Sequence, residues 1–422
     1  MTIAAAADAP IAPATGQVSS RRLLFWFFPV ATAMYALFNG IQQVLLPGQI
    51  EAIDPAHKIG NLALIMGVSA VTSVFGLLAG GAVSDRTTGR WGRRTPSLVA
   101  GAVASGIAAV LLGLSSSLTA ILVLMASLWF ALNYFQGALT AILPDRVPLE
   151  RRGTASSIIA LGVPIGVIAG VNIAAHMERP LALAALALFV VAATAGLVLF
   201  APEQPAYAAV VTPGTPREPL ARKIAGFFAS FSHFDFTLVL LARALMFFSI
   251  FSVIAYTYFI LQDYVGTANL PRHDVKYAVS LMITIQMVAC LLSTALSGWI
   301  ADRLRRPKLL VGISSLGIAA GFAISAFSAT WPAMLLMQTS VGFFFGTYMA
   351  IDLALASLVL PDPDNEGRDM ALLSAAGNLP QMLTPMFAAA VIAQLGYVAL
   401  FATGALCALG AGIAVFFVRS VR

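Results

Sequence analysis

Gly81-Ala82-Val83-Ser84-Asp85-Arg86 recurs as Gly298-Trp299-Ile300-Ala301-Asp302-Arg303, at an offset of 217 residues. Each copy ends a long apolar run and precedes a cluster of arginines. The same offset relates Leu143-Pro144-Asp145 to Leu360-Pro361-Asp362, and Arg151 to Arg368. Three coincidences at one offset mark an internal duplication. In a chain this apolar, two membrane-embedded halves with matching punctuation point to a transporter in which movement between the halves is the mechanism.

The rest of the composition agrees. Of 422 residues, 59% are hydrophobic and 10% charged, against roughly 25% charged in soluble domains. A helical membrane crossing needs about 20 predominantly apolar residues. Runs of that length, separated by polar or Pro/Gly-rich breaks, predict twelve spans, at approximately 22–46, 60–83, 97–116, 118–142, 153–175, 180–200, 237–262, 276–300, 308–328, 332–358, 370–394 and 396–418.

The net charge of +6 is distributed by topology. With the N-terminus in the cytoplasm, nineteen of the 24 Lys and Arg residues fall inside, and Lys58, Arg179, Arg272 and Lys276 fall outside. Arg243 is left within a span. This is the positive-inside pattern, and it predicts that both termini are cytoplasmic. The basic balance therefore calls for no nucleic acid; the expected partners are the bilayer and a small solute. Cys290 and Cys407 fall inside predicted spans, where they read as small apolar residues rather than a disulfide or metal framework.

Residues 1–20 are Ala/Pro-rich and read as a disordered cytoplasmic N-terminus. The apolar run from Leu23 is too long for a signal-peptide core and reads as the first span. A first six-helix bundle then occupies 21–200, a cytoplasmic linker 201–236, a second bundle 237–418 and a cytoplasmic tail 419–422. The linker holds five prolines and Arg222-Lys223, the composition of a tether that lets the halves move separately. Its Phe227, Phe228 and Phe231 form either a short interfacial helix or a run-in to span seven.

Nothing catalytic emerges. His57, His176, His233 and His273 are scattered, with none at metal-ligand spacing to another, so no metal site is expected. There is no G-x-x-x-x-G-K-[ST] phosphate loop, so the chain carries no ATP-driven motor and no cofactor is implied. The reading is a transporter driven by a gradient, not an enzyme.

Gly81-x-x-Ser84-Asp85-Arg86-x-x-Gly89-Arg90-x-Gly92-Arg93-Arg94 resembles the signature between the second and third helices of the major facilitator superfamily. The resemblance covers essentially the whole chain, since the second copy, the Pro144-Asp145...Arg152-Gly153 loop and the half-length offset agree. It implies two pseudo-symmetric bundles of six helices and a conformational lock. That role passes to Asp85, Arg86, Arg90 and Arg94, with Asp145 and Arg152, and to Asp302 and Arg303 in the second copy. Physically, a carboxylate where a helix meets the cytoplasm accepts charge-assisted hydrogen bonds from Arg or from a helix N-terminus.

Within the superfamily, Ser84-Asp85-Arg86...Arg90-x-Gly92-Arg93-Arg94-x-Pro96 is especially similar to the sucrose-type and glycoside-pentoside-hexuronide sugar:cation symporters. Asn365-x-Gly367-Arg368-Asp369 and Asn378-Leu379-Pro380-Gln381 add to that likeness. Spans two and four, however, hold no Asp or Glu ahead of Asp85 and Asp145, where those symporters commonly carry carboxylates for the coupling cation. Asn133-x-x-Gln136-Gly137 resembles the fourth-helix motif of the drug-efflux branch with Asn in place of Arg. Gly162, Gly166 and Gly170 read as a close helix-packing face.

At 100° per residue, polar and aromatic side chains fall on single stripes. Span one aligns Tyr35, Asn39 and Gln42; span four aligns Trp129, Asn133 and Gln136; span ten aligns Gln338, Phe345, Tyr348 and Asp352. Span seven offers Arg243, Phe247 and Phe251, with Tyr258 and Gln262 further along. An unpaired amide in lipid costs several kcal/mol, so these groups face a cavity or bond another helix. Tyr35, Asn39, Gln42, Asn133, Gln136, Tyr258, Gln338, Tyr348, Asn378 and Gln381 are the candidate substrate contacts.

Asp352 is the one carboxylate well inside a predicted span, which makes it a functional candidate. It lies about 15 Å from the cytoplasmic end, and Arg243 about 12 Å, at roughly 1.5 Å per residue. The matching depths predict an Arg243/Asp352 pair that couples proton movement to transport, binds a polar substrate, or is purely structural. The expectation is a monomeric, multi-pass protein of the cell (inner) membrane that moves a small polar solute by alternating access. Symport of a sugar or glycoside with protons or another cation is favoured, and efflux of amphipathic drug-like compounds is the alternative.

Overall fold

The computed structural model describes residues 20–148, 151–206, 231, 233–304, 306–357, 359 and 366–419, almost all of them helical. In the first half, α1 (Ser20–Gly40) runs through a π-helical turn, Ile41–Leu45, into α2 (Leu46–Ile53). The turn widens directly ahead of Pro47, which has no N–H to continue the ladder, and the Leu46 N–H reaches back five residues to the Ile41 carbonyl. There follow α3 (Lys58–Arg86), α4 (Thr95–Leu114), α5 (Leu118–Arg146), α6 (Arg152–His176) and α7 (Arg179–Phe200). The second half contains α8 (Phe234–Ile254), a broken segment with a π-helical turn at Ile260–Gly266, α9 (Val275–Leu304), α10 (Pro307–Phe327), α11 (Trp331–Ser357) and α12 (Glu366–Phe416).

At 51 residues, α12 is far longer than one crossing requires. Gly396, at φ 82° and ψ −179°, divides it, in a backbone conformation that glycine adopts without a Cβ penalty. Among the described residues eleven helices are long and apolar enough to cross a membrane, and the last of them holds two crossings, as the pattern of spans predicts. Phe227 and Phe228, read as an interfacial helix or a run-in to span seven, lie outside the described residues. So do Leu360, Pro361, Asp362 and Asn365, and the side chains of Asp302 and Arg368.

The duplication is visible in the packing. In the first half α1 packs on α6, α3 and α4 on α5, and α4 on α7. The second half repeats this, with α8 packed on α12, α9 and α10 on α11, and α10 on α12. The halves meet where α3 touches α12 and α6 touches α9. The Gly162, Gly166 and Gly170 face lies on α1: a Cβ at Gly170 would stand 2.1 Å from the Ala36 carbonyl oxygen, so the two backbones approach to a distance only glycine admits. Leu64, Phe75, Leu78, Leu188, Leu292 and Leu406 are exposed and give the bundle an apolar outer surface suited to lipid.

Candidate functional site

Between the halves lies a cavity of about 360 Å³. Tyr35, Phe38 and Asn39 of α1 line it together with Gln42 of the π-helical turn, Ser73 and Leu77 of α3, Trp129, Asn133 and Gln136 of α5, and Asn378, Gln381 and Pro385 of α12. Seven of the ten candidate contacts thus converge: Tyr35, Asn39, Gln42, Asn133, Gln136, Asn378 and Gln381. Periodicity marks Tyr35 and Asn39 on α1, Gln42 in the turn that follows it, and Asn133 and Gln136 on α5, each on the stripe that its helix turns away from lipid.

Asn39 and Asn133 are held alike. The Asn39 amide donates to the Tyr35 carbonyl at 3.0 Å, and the Asn133 amide to the Trp129 carbonyl at 2.9 Å. Each bond uses one of two N–H groups and fixes the plane of the amide, leaving one donor and the amide oxygen for another molecule. Phe38 meets Trp129 edge to face at 5.3 Å between centroids, so the wall beside these amides is aromatic.

The other three candidates do not line the cavity. Gln338 is buried and donates to Gln286 at 3.0 Å, the helix-to-helix solution that lipid imposes on a buried amide. Tyr258 is buried with its hydroxyl against Gly48. Tyr348 is buried and donates to Asp352 Oδ1 at 2.6 Å.

Arg243 and Asp352 are paired, Arg243 Nη1 donating to Asp352 Oδ2. Asp352 is 4% exposed, with Tyr348 one turn earlier on its own helix bonded to its second oxygen. Phe345 stacks on Tyr348, and Arg243 lies over the Phe247 ring at 5.4 Å. The guanidinium also sits against Gly377, whose neighbour Asn378 lines the cavity. Buried charges in lipid persist only when paired, which accounts for the contact without assigning it a role.

Arg94 organises one end of the bundle. Its Nε donates to Asp145 Oδ2 at 2.8 Å, its Nη1 lies 2.6 Å from Asp85 Oδ1, and the same nitrogen donates to Ser84 Oγ at 2.6 Å. Arg93 adds a contact to Asp85 at 3.5 Å. Glu203 accepts from the backbone N–H groups of Arg94 and Thr95 at 2.8 and 3.0 Å, closing the N-terminus of α4. Asp85, Arg93, Arg94 and Asp145 all belong to the first half, and Glu203 to the linker that follows it. Arg86 and Arg90 are exposed and take no part in these contacts, while Arg152 donates to the Pro144 carbonyl at 2.9 Å. Arg303 occupies the last turn of α9, as Arg86 does in α3.

At the opposite end the halves are joined. Lys58 Nζ lies 2.7 Å from Asp263 Oδ1 and 3.2 Å from Glu51 Oε1, and Gln262 Nε2 donates to Glu51. Within the second half, Tyr397 donates to the other oxygen of Asp263 at 2.7 Å, and Tyr256 to the Pro385 carbonyl at 2.8 Å. Further along the same interface Asn172 donates to Thr284 at 2.9 Å, and His176 meets the edge of Tyr277. Beside this closure Asp54 caps the start of α3; desolvation acts upward on its carboxyl, but hydrogen bonds from Asn61 and His57 hold it below the ordinary value. Glu51, Lys58, Asp263 and Glu203 are contacts that sequence reasoning missed. The one available signal was their position at the breaks between spans. Among the described residues no three His, Cys, Asp or Glu side chains group as a metal site.

Residues 30–276 and 272–422 match the family model described as the Major Facilitator Superfamily. No curated protein sequence matches the chain. Among solved structures, the fold is similar to a point mutant of the nucleoside transporter NupG, with a TM-score of 0.70 and 14% identity over 93% of this chain and 98% of that one. It is also similar to a bacterial homolog of the human lysosomal transporter Spinster. The inward-facing, unoccupied form of that protein gives a TM-score of 0.65 at 15% identity, covering 94% of each chain. Its inward-facing, occupied form gives 0.64 at 13%, covering 96% of this chain and 95% of that one. Identities this low speak to the fold alone.

Proposed function

The chain belongs to the major facilitator superfamily of membrane transporters, and on that premise we propose that it carries a small polar solute between its two halves by alternating access, with a sugar or glycoside moved in symport with protons or another cation. One observation carries the reading: a cavity lined by amides from both halves stands beside a closure between the halves at the Lys58 end of the bundle. Six amides and the rings of Tyr35 and Trp129 offer paired donors and acceptors beside aromatic faces, a lining that matches the hydroxyls and ring of a sugar.

In the orientation that the Lys/Arg distribution favours, the Lys58 closure is extracytoplasmic and the Arg94 cluster cytoplasmic. This conformation is then the inward-facing one. In this conformation Asp85 is engaged by its own half's Arg94, and return to the outward-facing state re-engages the duplicated clusters across the halves. Arg243 and Asp352 are the coupling pair: loading Asp352 with a proton releases Arg243, and the charge difference is felt beside Asn378 and Gln381. The protein works as a monomer in the cell membrane, since one chain supplies both walls of the cavity.

Purified protein in proteoliposomes, screened for uptake of sugars and glycosides under an imposed pH gradient, tests this reading. Gradient-driven accumulation that Asp352→Asn reduces at least tenfold is the expected result. Accumulation unchanged in that variant removes the coupling role, and export of amphipathic cations with no sugar flux favours efflux instead.

A further inference from the structure

Arg243 spends only part of its guanidinium on Asp352. The bond to the carboxylate runs through Nη1. Nε is buried, and among the described residues nothing accepts a hydrogen bond from it. An orphaned donor of this kind is costly in a membrane-embedded site, and here it belongs to a permanent cation.

The edge formed by Nε and Nη2 faces Gly377. A Cβ at that position would stand 3.4 Å from Nε, 3.6 Å from Nη2 and 3.7 Å from the Phe247 ring, so any side chain there would occupy the space against this edge. The next residue, Asn378, and Gln381 one turn on both line the cavity. A guanidinium edge of two parallel N–H groups matches the two oxygens of a carboxylate, and no neutral group satisfies both with equal strength.

We infer that this edge is a carboxylate subsite, and that the transported solute is a polar, hydroxylated monocarboxylate whose acid group lies between Arg243 and Gly377 while the cavity amides hold its hydroxyls. The inference rests on the proposed transport reading and adds the charge of the substrate to it. It also gives Gly377 a role, since a methyl group there would touch the edge that the acid engages.

Thermal-shift titrations of the full-length purified protein with three acids and their neutral counterparts test it: D-glucuronate against its methyl ester, D-gluconate against D-glucose, and lactate against methyl lactate. At least one acid is expected to raise the melting temperature at a concentration about tenfold lower than its neutral partner. Arg243→Lys, which keeps the charge and loses the fork, should cut that margin to about twofold or less. Gly377→Ala should do the same while leaving the ligand-free melting temperature unchanged, and so serves where Arg243→Lys fails to fold. Equal shifts for acid and neutral partner, or no shift with any acid, overturn the subsite. Flux separates it from the wider reading: vesicle uptake of a neutral sugar without preference for acids removes the subsite and leaves transport standing, whereas acid binding with the Arg243 dependence but no uptake keeps the subsite and removes transport.

Discussion

Lys58 Nζ lies 2.7 Å from Asp263 Oδ1, and this contact ties the start of α3 in one half to the segment after α8 in the other. Lys58 is 13% exposed and also meets Glu51, so its removal leaves two carboxylates facing each other across the seam. A partly solvated pair is worth about 1 kcal/mol, roughly a fivefold change in the population closed at this end. Lys58→Ala is therefore expected to raise, about fivefold, the rate at which a membrane-impermeant maleimide added on the Lys58 side labels a cysteine placed at Ala70 in the cavity wall. The exchanged pair Lys58→Asp with Asp263→Lys should bring the rate back down; an unchanged rate in the single variant would remove the closure from the mechanism.

Arg94 bridges Asp85 and Asp145 from a side chain that is 5% exposed. Truncating it strands two carboxylates and the Ser84 hydroxyl, although Asp85 is open enough to water to recover part of the loss. Arg94→Ala should destabilise the fold by about 2 kcal/mol, less than a fully buried pair would give. Arg94→Lys retains the charge without the fork and should recover about half. Thermal unfolding followed by tryptophan fluorescence reads both, and a full-strength loss in the Lys variant would mean that geometry alone matters here.

The α1–α6 seam tests close packing. Gly170→Ala places a methyl group 2.1 Å from the Ala36 carbonyl oxygen, while Gly81→Ala meets nothing within 4 Å. The first should cost about 2–4 kcal/mol through forced separation of two backbones, and the second should be neutral within about 0.5 kcal/mol. Comparable melting temperatures for the two variants would contradict the seam. If Gly81→Ala keeps its stability but loses transport, the space beside Gly81 is used in another conformation.

The architecture was readable because lipid makes helices announce themselves by length, and because the duplicated Gly81 and Gly298 segments divide the chain at its midpoint. The stripes on α1 and α5 led to the cavity for the same reason: Asn39 and Asn133 are turned away from lipid, and each bonds the carbonyl one turn back on its own helix. Periodicity reports a face, not what covers it. Gln338 and Tyr348 share a stripe on α11, yet Gln286 covers one and Asp352 occupies the other. The Lys58 closure was not legible, since its partners stand about two hundred residues apart and lie at loop edges where no local pattern constrains them.

That difference between two amides makes the sharpest test of the cavity. Asn133 has its orientation fixed by Trp129 and presents its remaining donor and acceptor to open space, so Asn133→Ala removes contacts to a solute while the Trp129 carbonyl keeps its place in the helix. Loss of one or two neutral hydrogen bonds predicts about a tenfold rise in KM for the transported solute, with the melting temperature nearly unchanged. Gln338→Ala instead strands the buried Gln286 oxygen, costing about 1–3 kcal/mol of stability with KM unaffected. Uptake kinetics and thermal unfolding measured on both variants decide between the roles: a stability loss in Asn133→Ala, or a KM rise in Gln338→Ala, would move the binding surface from the wall shared by α1, α3, α5 and α12 to the interior of the second half.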